Sequence, residues 1–263
     1  MNGIAFPDIT PIAFEILGIP IRWYSLAYLI GFLLGWHYML YLVRNLSLSS
    51  PTKKQIDDFL PVAVLGVIIG GRLGYVLFYK PDYYLSNLGE ILQVWNGGMA
   101  FHGGILGVLV AMLLYSKIQK FSFWRLSDLT AAAVPIGLLF GRLANFANGE
   151  LWGRETDVSW AVRFPSGGFI PRHPSQLYEA FLEGAVLFIV LYFIFKKFHG
   201  REGLTASVFV LGYGLFRFIV EYFREPDPAY GLIADLFSMG QMLSLPMILV
   251  GTAFAIYRYK KTS

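Results

Sequence analysis

Seven apolar runs constrain this chain more than any other feature; they lie at about residues 20–43, 59–79, 97–116, 127–147, 177–197, 204–223 and 238–258. Each is close to the roughly 20 residues that an α-helix needs to cross the hydrocarbon core of a bilayer. Inside lipid a backbone must satisfy its own hydrogen bonds, so these runs predict an all-α, polytopic membrane protein with about seven transmembrane helices. Composition agrees: 56% of the 263 residues are hydrophobic and 14% are charged, against about 25% charged in a soluble domain. The first run is too long for a signal-peptide core and nothing basic precedes Arg22, so it reads as a retained span. The fourth is the weakest, because Pro135, Arg142 and Asn145 interrupt it. Residues 1–263 read as a single transmembrane domain, with segment 148–176, rich in Gly, Pro and Trp, as a folded cap. Within that cap, residues 160–164 read as a short strand.

Loop charge orients the spans. Arg44, Lys53 and Lys54 share one side with Lys117, Lys120 and Arg125, with Lys196, Lys197 and Arg201, and with Arg258, Lys260 and Lys261. The other side carries Asp8 and Glu15, Lys80 against Asp82 and Glu90, and Arg224 against Glu225, Asp227 and Asp235. The basic excess marks the cytoplasmic side, which puts the N-terminus outside and the C-terminus inside. This topology accounts for the net charge of +4, and no nucleic-acid partner is expected. With no cysteine, disulfides, thiolate metal sites and a cysteine nucleophile on this chain are excluded. His37, His102, His173 and His199 are too scattered for a metal cage, so neither a metal nor an organic cofactor is expected.

With orientation set, the unusual polar residues fall toward the outer leaflet. Arg22, Tyr24 and Ser25 sit at the outer end of the first span, and His102 in the first outer turns of the third. Arg142, Asn145, Asn148 and Glu150 lie at or past the outer end of the fourth, with Arg217, Glu221 and Arg224 toward the same end of the sixth. Arg72 lies past the midpoint of the second. An arginine at a helix centre costs about 2.5–3.5 kcal/mol on insertion scales, so these need a reason. One reason is structural, with Arg217 paired to Glu221 one turn on and Arg72 to a carbonyl. The other is a buried anion site, since guanidinium forks match phosphate oxygens bidentately. Gly70-Gly71 and Gly103-Gly104 with Gly107 suit close helix packing. Gly97-Gly98, ahead of His102, reads either as packing or as a pocket of backbone N–H groups. Gly71-Arg72-Leu73-Gly74 also echoes Gly141-Arg142-Leu143-Ala144.

The sharpest motif is Gly141-Arg142-Leu143-Ala144-Asn145-Phe146-Ala147-Asn148-Gly149-Glu150-Leu151-Trp152-Gly153. It resembles the signature of the phosphatidylglycerol–prolipoprotein diacylglyceryl transferases of bacterial inner membranes. Every polar and glycine position of that signature is present; Ala144 and Ala147 are small where glycine and a larger apolar residue are often expected. Arg22-Trp23-Tyr24, His102-Gly103-Gly104, the run His173-Pro174-Ser175-Gln176-Leu177-Tyr178-Glu179, and Tyr213-Gly214-Leu215-Phe216-Arg217 through Glu221 and Arg224 extend the resemblance over essentially the whole chain. It implies an enzyme of the bacterial inner membrane that moves the diacylglyceryl group of phosphatidylglycerol onto the cysteine thiol of a lipoprotein precursor, forming a thioether and releasing glycerol phosphate. The partners so implied are phosphatidylglycerol, a precursor with a signal peptide and an acceptor cysteine, and membrane lipids.

For that chemistry the expected catalytic residues are His102, Arg142, Arg217 and Tyr24. Cations set where phosphate charge grows lower the barrier, a role that falls to Arg142 and Arg217. A thiol of pKa about 8.5 needs a base, and an imidazole near 6.5 can take the proton, for which His102 is the candidate. Glu150 is the other candidate base, although an ordinary carboxylate matches a thiol poorly. Substrate binding is expected at Arg142, Asn145, Glu150, Gly153, Arg217, Tyr213, Glu221 and Arg224. Tyr24 and Tyr213 can donate to phosphate, and tyrosines also belt membrane interfaces with no chemical duty. His173 reads as scaffold or as a neighbour of the site, while His37 and His199 read as structural. A transporter or anion channel is the rival class, but its site would lie near the midplane. No residue pattern of an intramembrane protease is present. A purely structural assembly factor would leave His102, Arg142 and Arg217 dispensable.

Overall fold

The computed structural model describes residues 3–226, 231–233 and 236–261; Asp227 and Asp235 of the acidic loop lie outside the described residues. Among those, six helices are long and apolar enough to cross a membrane. They are α1 (Trp23–Asn45), α2 (Lys53–Phe78), α4 (Phe101–Ile118), α5 (Phe123–Ala147), the continuous helical stretch Ser175–Phe198, and α9 (Met239–Lys261). Helix α8 (Leu204–Val220) is apolar but shorter, at 17 residues. The protein is thus a polytopic, all-helical membrane protein. Large apolar side chains such as Leu65, Leu77, Leu106 and Leu249 are more than half exposed, as helices in lipid require.

The helix ends depart from the apolar runs for local reasons. Helix α2 begins at Lys53, not near 59, because Thr52 and Gln55 form a reciprocal capping box that lets a polar first turn become helical. Helix α1 begins at Trp23 because Ile19–Arg22 form strand β3, paired antiparallel with β2 (Ile12–Ile16). Helix α4 begins at Phe101 rather than 97, since Gly97 and Gly98 hold φ of 75° and 79°, outside the right-handed helical region. Helix α5 runs on through Pro135.

The chain divides into two compact units, Leu40–Ser127 and Met1–Met39 with Asp128–Ser263. In the first, α2 and α4 close on a seam of glycines. A Cβ on Gly70 would stand 2.6 Å from the Gly107 Cα, and one on Gly74 would stand 2.7 Å from the Gly103 Cα. Small residues here let the backbones touch, the means by which helices associate in lipid. Helix α3 (Pro81–Ser86) and two short 3₁₀ turns, Leu88–Glu90 and Val94–Asn96, link α2 to α4.

In the second unit α8 packs on α9, where a Cβ on Gly251 would stand 2.9 Å from the Leu211 Cα. The buried carboxylate of Asp128 caps α8, accepting from the N–H groups of Gly203 (2.6 Å) and Ala206 (2.8 Å). An acceptor and a negative charge both suit a helix N-terminus. Segment 148–176 is folded. Strands β1 (Ile4–Ala5), β4 (Val162–Arg163) and β5 (Pro171–Arg172) form a small sheet in the order β1-β4-β5, so the strand expected over 160–164 is the shorter β4. Beneath it Phe164 is fully buried against Phe6 and Phe146. The Gln176 side chain donates to the Glu150 carbonyl at 2.6 Å, tying the segment to the next span.

Candidate active site

Glu179 closes the one-turn helix α6 (Ser175–Glu179) and leads into a π-helical turn, Ala180–Val186, before α7 (Leu187–Phe198). Its carboxylate is fully buried and gathers three arginines. Arg142 Nε of α5 approaches Oε2 at 2.8 Å, while Arg217 Nη1 of α8 and Arg224 Nη1 just past it reach Oε1 at 2.7 and 2.8 Å. Arg217 also pairs closely with Glu221, one turn on, and Arg224 Nε lies 3.6 Å from the same carboxylate. The Ser238 hydroxyl donates to Glu221 Oε2 at 2.6 Å.

A second buried acid, Glu183, stands one turn beyond Glu179. Its oxygens lie 3.6 Å from Arg142 Nη2 and 4.0 Å from Arg217 Nη1, beyond the 2.7–2.9 Å typical of a charge-assisted hydrogen bond. The cluster therefore sets three guanidiniums against three carboxylates. Burying such groups is costly unless each is matched, and the carboxylates, 0–5% exposed, are the inner layer. The arginines, 17–19% exposed, present the accessible face.

The polar positions of the Arg142 motif join this cluster in a chain. Arg142 Nη1 approaches Asn145 Oδ1 at 3.5 Å, and buried Asn145 donates to Glu150 Oε1 at 2.9 Å. Asn148 adds a contact to that oxygen at 3.3 Å. Tyr213, one helical turn before Arg217 on α8, lies in the field of Glu183, Arg217 and Arg142. The Tyr24 ring packs on Tyr28 at 5.1 Å. The structure thus brings together Arg142, Asn145, Glu150, Tyr213, Arg217, Glu221 and Arg224.

From residue 11 to 257 the sequence matches the family described as prolipoprotein diacylglyceryl transferase. It is 56% identical to the phosphatidylglycerol–prolipoprotein diacylglyceryl transferase of Azospirillum brasilense, over 95% of each chain. It is 52% identical to the protein of that name from Pasteurella multocida, over 98% of this chain and 96% of the relative. The chain belongs to the prolipoprotein diacylglyceryl transferase family. It is therefore a transferase of multi-pass membrane type.

In this transferase Gly153 and His173 serve the scaffold of the folded segment. Gly153 is wedged in the folded segment: a Cβ there would stand 2.8 Å from the His173 carbonyl oxygen, and its N–H donates to that oxygen at 2.9 Å. It permits a close backbone approach. His173 approaches the Tyr178 hydroxyl at 3.1 Å through Nδ1, edge-on to Phe223, and burial pushes its imidazole below the ordinary range. His102 belongs to the other unit, where it is exposed in the first turn of α4.

Two alternatives that the sequence leaves open are resolved. Arg72 takes the structural reading, pairing with carbonyls: its buried guanidinium donates to those of Ile91 (2.7 Å), Glu90 (2.8 Å), Gly97 (2.5 Å) and Gly98 (3.3 Å), and lies 5.0 Å from the Tyr84 ring centre. Gly97 and Gly98 accordingly present carbonyl oxygens to a cation rather than N–H groups to an anion. Sequence reasoning missed Glu179 and Glu183 as site residues. The signal was there, since two acids four apart at the head of an otherwise apolar span are as expensive as the arginines and call for partners.

Proposed function

We propose that this protein transfers the diacylglyceryl group of phosphatidylglycerol to the cysteine thiol of lipoprotein precursors, forming a thioether and releasing glycerol phosphate. The relatives carry the name of that reaction. The observation that carries the reading here is Glu179, a single buried carboxylate that holds both Arg142 and Arg217, whose side chains stay 17% exposed. Two guanidinium groups so fixed suit one phosphate.

In the proposed step the precursor thiolate attacks the glycerol carbon bonded to the phosphate oxygen. The C–S bond forms as the C–O bond breaks, and the electron pair leaves on glycerol phosphate. Arg142 and Arg217 bind that phosphate and stabilise the charge it gains. Arg224, Glu221, Asn145 and Glu150 hold the headgroup or the arginines in place, and Tyr213 and Tyr24 supply hydroxyl donors. His102 is the proposed base that takes the thiol proton; Gly153 acts through packing. The whole chain serves as one catalytic domain. Its proposed setting is the bacterial inner membrane, with the N-terminus and segment 148–176 periplasmic and the C-terminus cytoplasmic, as the loop charges argue. A precursor tethered by its signal helix would then offer its thiol at the outer face.

The test is to incubate purified protein with phosphatidylglycerol and a precursor peptide carrying one cysteine. The expected result is a mass gain of one diacylglyceryl unit on that cysteine and none on a Cys→Ser peptide; an unchanged peptide in both arms contradicts the reading. The base assignment has its own measurement. His102→Gln is expected to remove the acid limb of the pH–rate profile, and a retained limb points to another group.

A further inference from the structure

Glu183 is the polar group in the cluster that the proposed reaction leaves without a task. It is fully buried, and among the described residues no donor hydrogen-bonds either of its oxygens. Its nearest cations, Arg142 and Arg217, stand at 3.6 and 4.0 Å. Those two arginines meet Glu179 at 2.8 and 2.7 Å, so a carboxylate one turn away has been left short of contact. A buried acceptor with both oxygens unsatisfied is uncommon in a folded protein and asks for a partner. Its position in the π-helical turn Ala180–Val186 is of the kind found disproportionately at functional sites.

We infer that Glu183 accepts hydrogen bonds from the hydroxyl groups of the lipid's headgroup glycerol and so selects phosphatidylglycerol among anionic phospholipids. The inference rests on the reading that Arg142 and Arg217 hold the lipid phosphate. The headgroup glycerol is esterified to that phosphate, so its hydroxyls arrive beside whatever flanks the two guanidiniums, and Glu183 flanks both. A carboxylate offers two acceptor oxygens, and the glycerol offers two hydroxyl donors. The contacts from Glu183 to Arg142 and Arg217 are much longer than those two arginines' contacts to Glu179, so they part first as the lipid seats. The short contacts to Glu179 keep both forks aimed at the phosphate. A site built to bond a hydroxyl strongly rejects an analogue lacking it, because its polar groups are then left unpaired.

The experiment compares phosphatidylglycerol with phosphatidylpropanol, which has the same acyl chains and charge but no headgroup hydroxyls. Each is offered to the full-length protein in mixed micelles with a single-cysteine precursor peptide. For the wild type, kcat/KM is expected to favour phosphatidylglycerol by at least about tenfold. In Glu183→Gln and Glu183→Ala the ratio should fall to within about twofold of unity, through loss of turnover on phosphatidylglycerol alone. The ratio does not depend on how much of a variant folds. A wild type that uses both lipids equally overturns the inference. So do variants that lose both activities in proportion, down to zero, since that is the mark of a merely structural carboxylate. A wild type inactive on phosphatidylglycerol would instead defeat the underlying reading.

Discussion

Arg72 and Arg142 sit in nearly the same sequence, Gly-Arg-Leu followed by a small residue, yet they end in opposite chemistry. Arg72 is 2% exposed and bonded to four backbone carbonyls of residues 90–98. It pins the connection between α2 and α4, and the shape of that connection satisfies it. Arg142 meets carboxylates, and its side chain stays 17% exposed. Carbonyl acceptors belong to the fold and cannot be traded without deforming it. Carboxylates on side chains can hold a guanidinium in place while its remaining N–H groups engage a ligand. A buried arginine is thus diagnosed by its acceptors and not by its depth or its neighbours in sequence.

The contrast breaks most directly in turnover. Arg217→Ala is expected to lower kcat/KM by about 10²–10³-fold, the usual loss for a donor to developing charge, whereas Arg72→Ala should lower it only as far as it lowers the folded fraction. Rates normalised to folded protein check both. An effect of similar size falls on Glu179. Glu179→Gln keeps the volume but removes the charge that gathers three arginines, and it should cost about 3–5 kcal/mol of stability as well as activity. Thermal unfolding in detergent, beside the transfer rate, measures that pair of losses. Arg72→Ala leaves carbonyls without donors at about 1–3 kcal/mol for an unsatisfied group, so its unfolding temperature should fall while the pH profile of the remaining activity stays put.

The smallest effect concerns His173, whose imidazole burial holds below its ordinary range. As pH falls through about 6.5 the unfolded chain takes up the proton first. The stability this group contributes is therefore complete above that pH and is lost as pH falls toward the lowered value. His173→Phe keeps a ring against Tyr178 and Phe223 but cannot be charged, so its unfolding temperature should drop less between pH 7.5 and 5.5 than that of the wild type. An equal drop assigns the acid sensitivity elsewhere.

The spans were legible in the sequence because the length of an apolar run is nearly all that a bilayer asks of a helix. Their ends were less so: the capping box at Thr52 and the left-handed glycines before Phe101 act through backbone geometry that hydropathy does not record. Arg142 and Arg217 stood out because a charge in an apolar run announces itself. Their joint partner did not, since it takes the π-helical turn after Glu179, and the packing of Gly184 against Leu139 where a Cβ would stand 2.9 Å from the Leu139 Cα, to bring α5, α6 and α8 onto one carboxylate. Arg72 stayed undecided in the sequence for a related reason. Its acceptors are backbone carbonyls, which every residue carries and no sequence pattern marks.

That Arg142 and Arg217 together grip the lipid phosphate is tested most directly by the affinity of the purified protein for phosphatidylglycerol. Lipid retention would be titrated by native mass spectrometry in the wild type, in Arg142→Ala/Arg217→Ala, and in Arg72→Lys as a control outside the cluster. Two charge-assisted contacts at about 1.5–3 kcal/mol each predict a Kd at least about 100-fold weaker in the double variant and nearly unchanged in Arg72→Lys. A folded double variant that binds phosphatidylglycerol as tightly as the wild type would contradict the account.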